Sequence, residues 1–229
     1  MAASTAPYLF PIVPPQRDDR QPFPSPPDAA VKRTGIARLA ASSPLAEAKR
    51  GTDYFLLPVR SVLNRCDSKR VPFAWTVNPY RGCEFGCRYC YARYTHEYMD
   101  LAGSDFERKI FVKQDAGPLT ARDLGSVAES GEHITIGTAT DPYQPAEGEF
   151  GATRAILEQM AALQGLSLSI TTKSNRVVRD IDVLQRIAAH SSLQVNLTVT
   201  THRTRLARLL EPRAPRPDLR LQAVRKLRF

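Results

Sequence analysis

From residue 71 onward, short apolar runs alternate with longer segments whose apolar residues recur every three to four positions. That is the pattern of strands alternating with helices. Phe73–Val77 predicts a first strand and Tyr89–Leu101 a helix after it. Lys109–Lys113 predicts the second strand, followed by a helix over Pro118–Ala128 with proline near its first turn. Ile134–Thr138 predicts the third strand. The next helix spans Phe150–Leu163, with Ile156, Met160 and Leu163 on one face. Leu166–Thr172 reads as the fourth strand, and Val177, Ile181, Leu184 and Ala188 mark the helix after it. Leu193–Val199 reads as the fifth strand. Arg203–Leu210 and Leu219–Leu227 predict two further helices, separated by Pro212, Pro215 and Pro217.

Five strand–helix alternations imply parallel strands joined by right-handed crossovers. The expected fold class is therefore α/β, a partial (βα) barrel with about five recognisable βα units. In such folds the site lies where the strands end and the loops gather. The predicted core is 71–229, which holds the five units. Residues 31–70 form an N-terminal extension, with a short helix in the Ala-rich stretch Arg33–Arg50 and a brief apolar segment at Tyr54–Val59. Residues 1–30 hold eight of the 18 prolines without helical periodicity, which predicts a disordered arm.

Composition adds little to this picture, and charge adds more. A hydrophobic fraction of 42% and a charged fraction of 24% are ordinary for a globular protein. No secretory leader and no apolar run of membrane-spanning length is expected, so the sequence predicts a cytoplasmic protein. The net charge is +9. Residues 201–229 hold eight Arg and one Lys against Glu211 and Asp218. Such a stretch is either a solvated helix face or a nucleic-acid contact.

Three of the four cysteines fall in Cys83-Glu84-Phe85-Gly86-Cys87-Arg88-Tyr89-Cys90. Gly82 and Gly86 let the backbone curl so that three thiolates face one point. Clustered soft donors suit zinc or an iron–sulfur cluster. Three ligands, not four, leave one metal position open for chemistry. His96 would complete a Cys3His zinc set on spacing alone, or be a helix residue that binds nothing. Cys66, outside the cluster, reads as a packed thiol. Arg81, Arg88 and Arg93 are candidates to favour the thiolate form.

The spacing C-x3-C-x2-C with Tyr89 before the last cysteine resembles the radical S-adenosylmethionine (radical SAM) superfamily. The wider run from Asn78 through Cys90-Tyr91-Ala92-Arg93 to Thr95-His96-Glu97-Tyr98 resembles more narrowly its spore-photoproduct-lyase-like branch. The resemblance implies that Cys83, Cys87 and Cys90 ligate three irons of a [4Fe–4S] cluster and that S-adenosylmethionine binds the fourth. It implies reductive cleavage of that ligand to a 5′-deoxyadenosyl radical that abstracts hydrogen from a substrate, with an electron donor such as a flavodoxin or ferredoxin. It further implies that Tyr89 lies by the adenine, that Lys113 pairs with the methionyl carboxylate, and that Thr138 and Thr140 hydrogen-bond the ligand. Lys173 or Ser174 would contact ribose or carboxylate, and Asp141 and Tyr143 would face the substrate. At the end of the second strand the chain has Lys113-Gln114-Asp115, departing from the Gly-Gly-Glu motif of many superfamily members. Arg179, Asp180 and His202 read as structural alternatives to pocket residues. No catalytic residue and no substrate is assigned. The competing reading is a non-catalytic iron–sulfur or zinc protein, or an inactive barrel fragment, with nucleic-acid binding as a third possibility.

Overall fold

A computed structural model describes residues 33–49 and 51–228; the proline-rich arm predicted for 1–30 lies outside them. Helix α1 (Gly35–Ser42) leads into strands β1 (Leu45–Lys49) and β2 (Thr52–Leu57), then β3 (Leu63–Arg65), β4 (Trp75–Val77) and β5 (Tyr80–Arg81). Next come β6 (Lys109–Lys113), α2 (Ala116–Ser130), β7 (His133–Ile136), α3 (Glu147–Phe150) and α4 (Ala152–Met160). Strand β8 (Ser167–Thr172), α5 (Ile181–Ala188), β9 (Ser192–Leu197), α6 (Thr204–Leu210) and α7 (Pro217–Lys226) follow. The alternation read from the sequence is present, with boundaries shifted by a few residues.

The strands form two sheets, ordered β1-β2-β6-β5 and β3-β4-β7-β8-β9. Strands β4, β7, β8 and β9 are parallel, and no closed barrel forms among the described residues. In register, Val77, Ile136, Ile170 and Val195 stand side by side, and so do Trp75, Ile134, Leu168 and Leu193. These rows belong to the main core, with Leu124 and Val127 of α2, Ile156 and Met160 of α4, and Leu184 and Ile187 of α5. The intervening row is Thr76, Thr135, Ser169 and Gln194. Successive strand residues face opposite sides, so one face of the sheet is apolar and the other polar. On the polar face Thr135 and Ser169 are hydrogen-bonded at 2.9 Å, and His133 bonds Ser167 and Ser169 at 2.8 and 2.9 Å.

Four local expectations are corrected. The second barrel strand, β6, does not lie against β4; it pairs in parallel with β2. The chain after β4 passes Pro79, which has no N–H to continue a ladder, and then pairs antiparallel with β6 through Tyr80 and Arg81. The short helix of this stretch is Gly35–Ser42, with a strand Leu45–Lys49 after it, and Thr52–Leu57 is a full strand where only a brief apolar segment is expected. The helix expected over 89–101 is a 3-10 helix over Tyr91–Met99. Its run of aromatic and Thr residues has low α propensity. The helix marked from Val177 begins as a 3-10 turn, Asn175–Asp180, before α5.

Candidate metal centre and cavity

The cysteine loop leaves β5 through Gly82, at φ +84°. A Cβ there would stand 2.8 Å from the carbonyl oxygens of both Phe106 and Lys109, so only glycine fits the turn. Two tight turns follow: Gly86 N–H donates to the Cys83 carbonyl at 3.4 Å, and Cys90 N–H to that of Cys87 at 3.1 Å.

The loop is held from two sides. On one side stands the segment after β7. Gln144 donates to the Gly82 carbonyl (3.2 Å) and to Thr140 Oγ1 (3.0 Å), and accepts from Glu84 N–H (2.9 Å). Thr140 Oγ1 donates to the same Gly82 carbonyl at 2.6 Å. Glu84 reaches back, accepting from Ala146 N–H (2.7 Å) and the Tyr54 hydroxyl (2.8 Å). Burial raises the Glu84 carboxyl, while Tyr54 and Ala146 oppose the shift. On the other side stands the turn between α6 and α7. Arg88 N–H donates to the Leu210 carbonyl at 2.9 Å, and Arg213 N–H to that of Phe85 at 3.2 Å.

These restraints open the loop onto a cavity of about 440 Å³, a volume suited to a small-molecule ligand. Cys83, Phe85, Cys87, Tyr89, Cys90 and Tyr91 form one wall. Thr135, Gly137, Thr138, Ala139, Thr140 and Asp141 form the second, and Thr171, Thr172 and Lys173 the third, with Val71 and Phe73 at the edge. Gly137 is the second obligatory glycine. Its φ is +91°, and a Cβ would meet the Thr171 carbonyl at 2.5 Å.

The thiols of Cys83, Cys87 and Cys90 pack around Phe85 and Ala214. Burial pushes the Cys83 thiol far up, with the Asp141 carboxylate adding to it. Burial also pushes Cys87 up, to about 11, against the pull of Lys173. Burial thus favours the protonated thiol at Cys83 and Cys87, and a metal that replaces those protons offsets the desolvation cost. The donor set therefore fits a thiolate-ligated cluster. Among the described residues no three His, Cys, Asp or Glu side chains are placed to share one metal ion. A cluster differs from a single ion in distributing its cysteines over separate irons.

Of the six residues proposed for the cofactor, Tyr89, Thr138, Thr140 and Lys173 line the cavity with the cysteines. Lys173 Nζ lies 5.7 Å from the Tyr89 ring centroid. Thr138 is bonded to Asn78 (3.0 Å), and its carbonyl accepts from the Tyr91 hydroxyl. Lys113 and Ser174 lie elsewhere. Lys113 is buried, with Nζ 3.4 Å from the Val62 carbonyl. Ser174 caps the turn before α5 by accepting from Arg176 N–H.

Asp141 borders the cavity, but its carboxylate already accepts from Thr172 Oγ1 (2.6 Å), Lys173 N–H (2.7 Å) and Tyr143 N–H (2.9 Å). Tyr143 is fully buried in the core. Arg179 and Asp180 are structural: Arg179 binds both Glu147 and Asp180, and Arg154 joins Asp180 to Asp182. His202 is exposed and outside the cavity. His96 is buried, bonded to the Lys109 carbonyl at 3.0 Å and set edge-on to Phe106. It does not reach the cavity, and burial lowers its pKa.

The three arginines expected to favour thiolates do not play that part. Arg81 is largely buried and its own charge is disfavoured by desolvation. Arg93 is engaged by Glu107 and the Cys87 carbonyl. Arg88 is exposed, and the cation that acts on Cys87 is Lys173. The sequence reading missed Glu84, Gln144, Asn78, Tyr91, Thr135, Thr171 and Glu211. The two threonines were legible in principle, since strand alternation puts them on the polar face with the strand-end residues. The other five depend on contacts between distant segments.

A cysteine-lined cavity at the ends of parallel strands in an open α/β half-barrel defines a class, and comparison with known proteins agrees with it. Residues 77–228 match the family described as the radical SAM superfamily, and the chain belongs to it. Uncharacterized proteins of Mycobacterium bovis and Mycobacterium tuberculosis are 34% identical over 200 residues, covering 86% of this chain and 57% of theirs. One from Methanocaldococcus jannaschii is 30% identical over 159 residues, 69% of this chain and 57% of its own. The chain thus spans little more than half the length of these relatives. Solved structures of spore photoproduct lyase share the fold. A mutant with dinucleoside spore photoproduct has a TM-score of 0.56 at 19% identity, covering 76% of this chain and 47% of that one. Another, with bound AdoMet and the same dinucleoside, has a TM-score of 0.53. No helix among the described residues is long and apolar enough to cross a membrane.

Proposed function

We propose that the protein is a radical SAM enzyme in which Cys83, Cys87 and Cys90 hold a [4Fe–4S] cluster and the adjoining cavity binds S-adenosylmethionine. One observation carries this reading: the three thiols open onto the same cavity as Tyr89, Thr138, Thr140 and Lys173. When bound and reduced, such a cluster supplies one electron to the sulfonium, releasing methionine and a 5′-deoxyadenosyl radical for hydrogen abstraction. The chain's own part is to position and to exclude water. Gln144, Thr140 and Glu84 hold the cysteine loop. Tyr89 and Phe85 present apolar surface to the ligand, and Lys173 brings a cation to the thiolates and to any ligand carboxylate. Ser174 serves by fixing the turn that carries Lys173. Lys113, buried away from the cavity, supports β6.

The substrate stays open. An acidic electron donor of the flavodoxin or ferredoxin kind, and a cytoplasmic setting, go with this chemistry. The test is anaerobic reconstitution. About four irons per chain are expected, the complement of one such cluster, together with 5′-deoxyadenosine from S-adenosylmethionine under reduction. Cys83→Ala, Cys87→Ala or Cys90→Ala should abolish both. Uptake of zinc alone, or a cluster that leaves S-adenosylmethionine intact, supports the non-catalytic reading instead.

Nucleic-acid binding has one observation in its favour: Arg203, Arg205 and Arg208 are exposed together on and beside α6. Affinity for an oligonucleotide that falls steeply with salt, and weakens when those three are neutralised, supports it. Salt-independent or absent binding removes it.

A further inference from the structure

We infer that Glu211 is a positioning residue, which holds Tyr89 in place on the cavity wall and locks the cysteine loop to the α6–α7 turn. This inference rests on the reading of the cavity given above. Glu211 lies just after α6 and is 1% exposed. Its Oε1 accepts from the Tyr89 hydroxyl and from Thr200 Oγ1, the latter at 2.6 Å. The two hydroxyls themselves lie 3.1 Å apart. Its Oε2 lies 2.6 Å from Nη2 of Arg220, itself 1% exposed. That contact is close but too far off line to be a hydrogen bond, so both atoms lack one. It is a buried charge pair.

Arg220 is anchored independently. It donates from Nε to the Pro215 carbonyl (2.8 Å) and from Nη1 to the Thr198 carbonyl (3.0 Å). Three parts of the chain thus meet at one carboxylate: the segment after β9 through Thr200, helix α7 through Arg220, and the cysteine loop through Tyr89. Tyr89 stands between Cys87 and Cys90 in the chain, so anchoring its hydroxyl restrains the loop segment that carries both.

The charge on Glu211 is required as well as its shape. A carboxylate offers acceptors on both sides, to hydroxyls and to a guanidinium. An amide in its place turns an N–H toward one of them and leaves Arg220 buried without a counter-charge, a costly state.

Two measurements test this. In metal-free protein, iodoacetamide alkylation of Cys87 and Cys90 should speed up several-fold in Glu211→Gln, with Cys66 unchanged. The milder Thr200→Val should give a smaller change in the same direction and serves if Glu211→Gln does not fold. In reconstituted protein, Glu211→Gln and Tyr89→Phe should each keep full iron. Each should weaken S-adenosylmethionine binding about tenfold, the worth of one hydrogen bond to a charged group, with the rate at saturation changed much less. The double variant should bind no worse than Glu211→Gln, because the two act as a unit. Unchanged alkylation in both Glu211→Gln and Thr200→Val overturns the inference, and so do additive binding losses. If wild-type protein takes up no iron, the enzymatic reading fails while the alkylation result still decides the role of Glu211.

Discussion

Lys113 shows at a single residue how position overrides residue type. On sequence it closes a barrel strand, where a cation suits a ligand carboxylate. In the fold it is buried beside Arg81, and desolvation, with that second cation, lowers its pKa to about 7. The folded state therefore holds fewer protons at this site than the unfolded chain, whose lysine titrates near 10.5. Stability from this group is lost as pH falls from about 10.5 to about 7 and is flat below that. Lys113→Met should remove this slope and raise stability near neutral pH. Urea denaturation at several pH values checks it, and an identical pH slope in wild type and variant argues against it. Gly82 is the converse case, a position where no side chain fits. Gly82→Ala brings Cβ against two carbonyl oxygens and should lower stability by about 2–4 kcal/mol, as strained backbone sites do. The melting temperature reads this, and iron uptake should drop with it.

Among elements, the segment after β7 is the one that builds the site. Its polar residues Thr140 and Gln144 bind the cysteine loop. Gln144 is fully buried and serves three groups of other residues. Gln144→Ala leaves the Glu84 N–H without its partner and should cost about 2–4 kcal/mol, since buried groups left unpaired carry a full desolvation penalty. Gln144→Glu is the informative companion: it keeps the acceptor for Glu84 N–H but loses the donor to Gly82 and Thr140. Equal melting temperatures for wild type and Gln144→Ala would sink this account of how the loop is held. The ion-pair group of Glu147, Arg154, Arg179 and Asp180 plays a similar part farther out, joining α3, α4 and the turn before α5.

At the scale of the whole molecule, burial is graded across the two sheets. Strands β7 and β8 lie inside the larger sheet, with both neighbours paired and mostly buried residues. Strand β1 is an edge with four of its five residues exposed. Strand β9 is the other edge of its sheet, partly exposed along its length. Amide hydrogen exchange should therefore be slowest in β7 and β8 and fastest in β1, with β9 between, because opening follows buried contacts and paired edges. Protection in β1 equal to that in β8 would contradict this ordering.

What could be read without a structure follows from local pattern. Period-two alternation such as Leu166-Ser167-Leu168-Ser169-Ile170-Thr171 names a strand and its two faces by itself. The 3.6-residue recurrence of Ile156, Met160 and Leu163 names a helix. The eight residues from Cys83 to Cys90 put three soft donors in one short stretch, and that spacing is what the proposed cluster rests on. Partners distant in the chain left no such trace. The pairing of β6 with β2, the burial of Lys113, and Glu84 held by Tyr54 and Gln144 were decided by packing alone. So was the tie from Tyr89 to Glu211, 122 residues apart. Local periodicity is set by backbone geometry and neighbouring side chains; which distant surfaces meet is set by the lowest free energy of the whole chain, and only the tertiary structure expresses that.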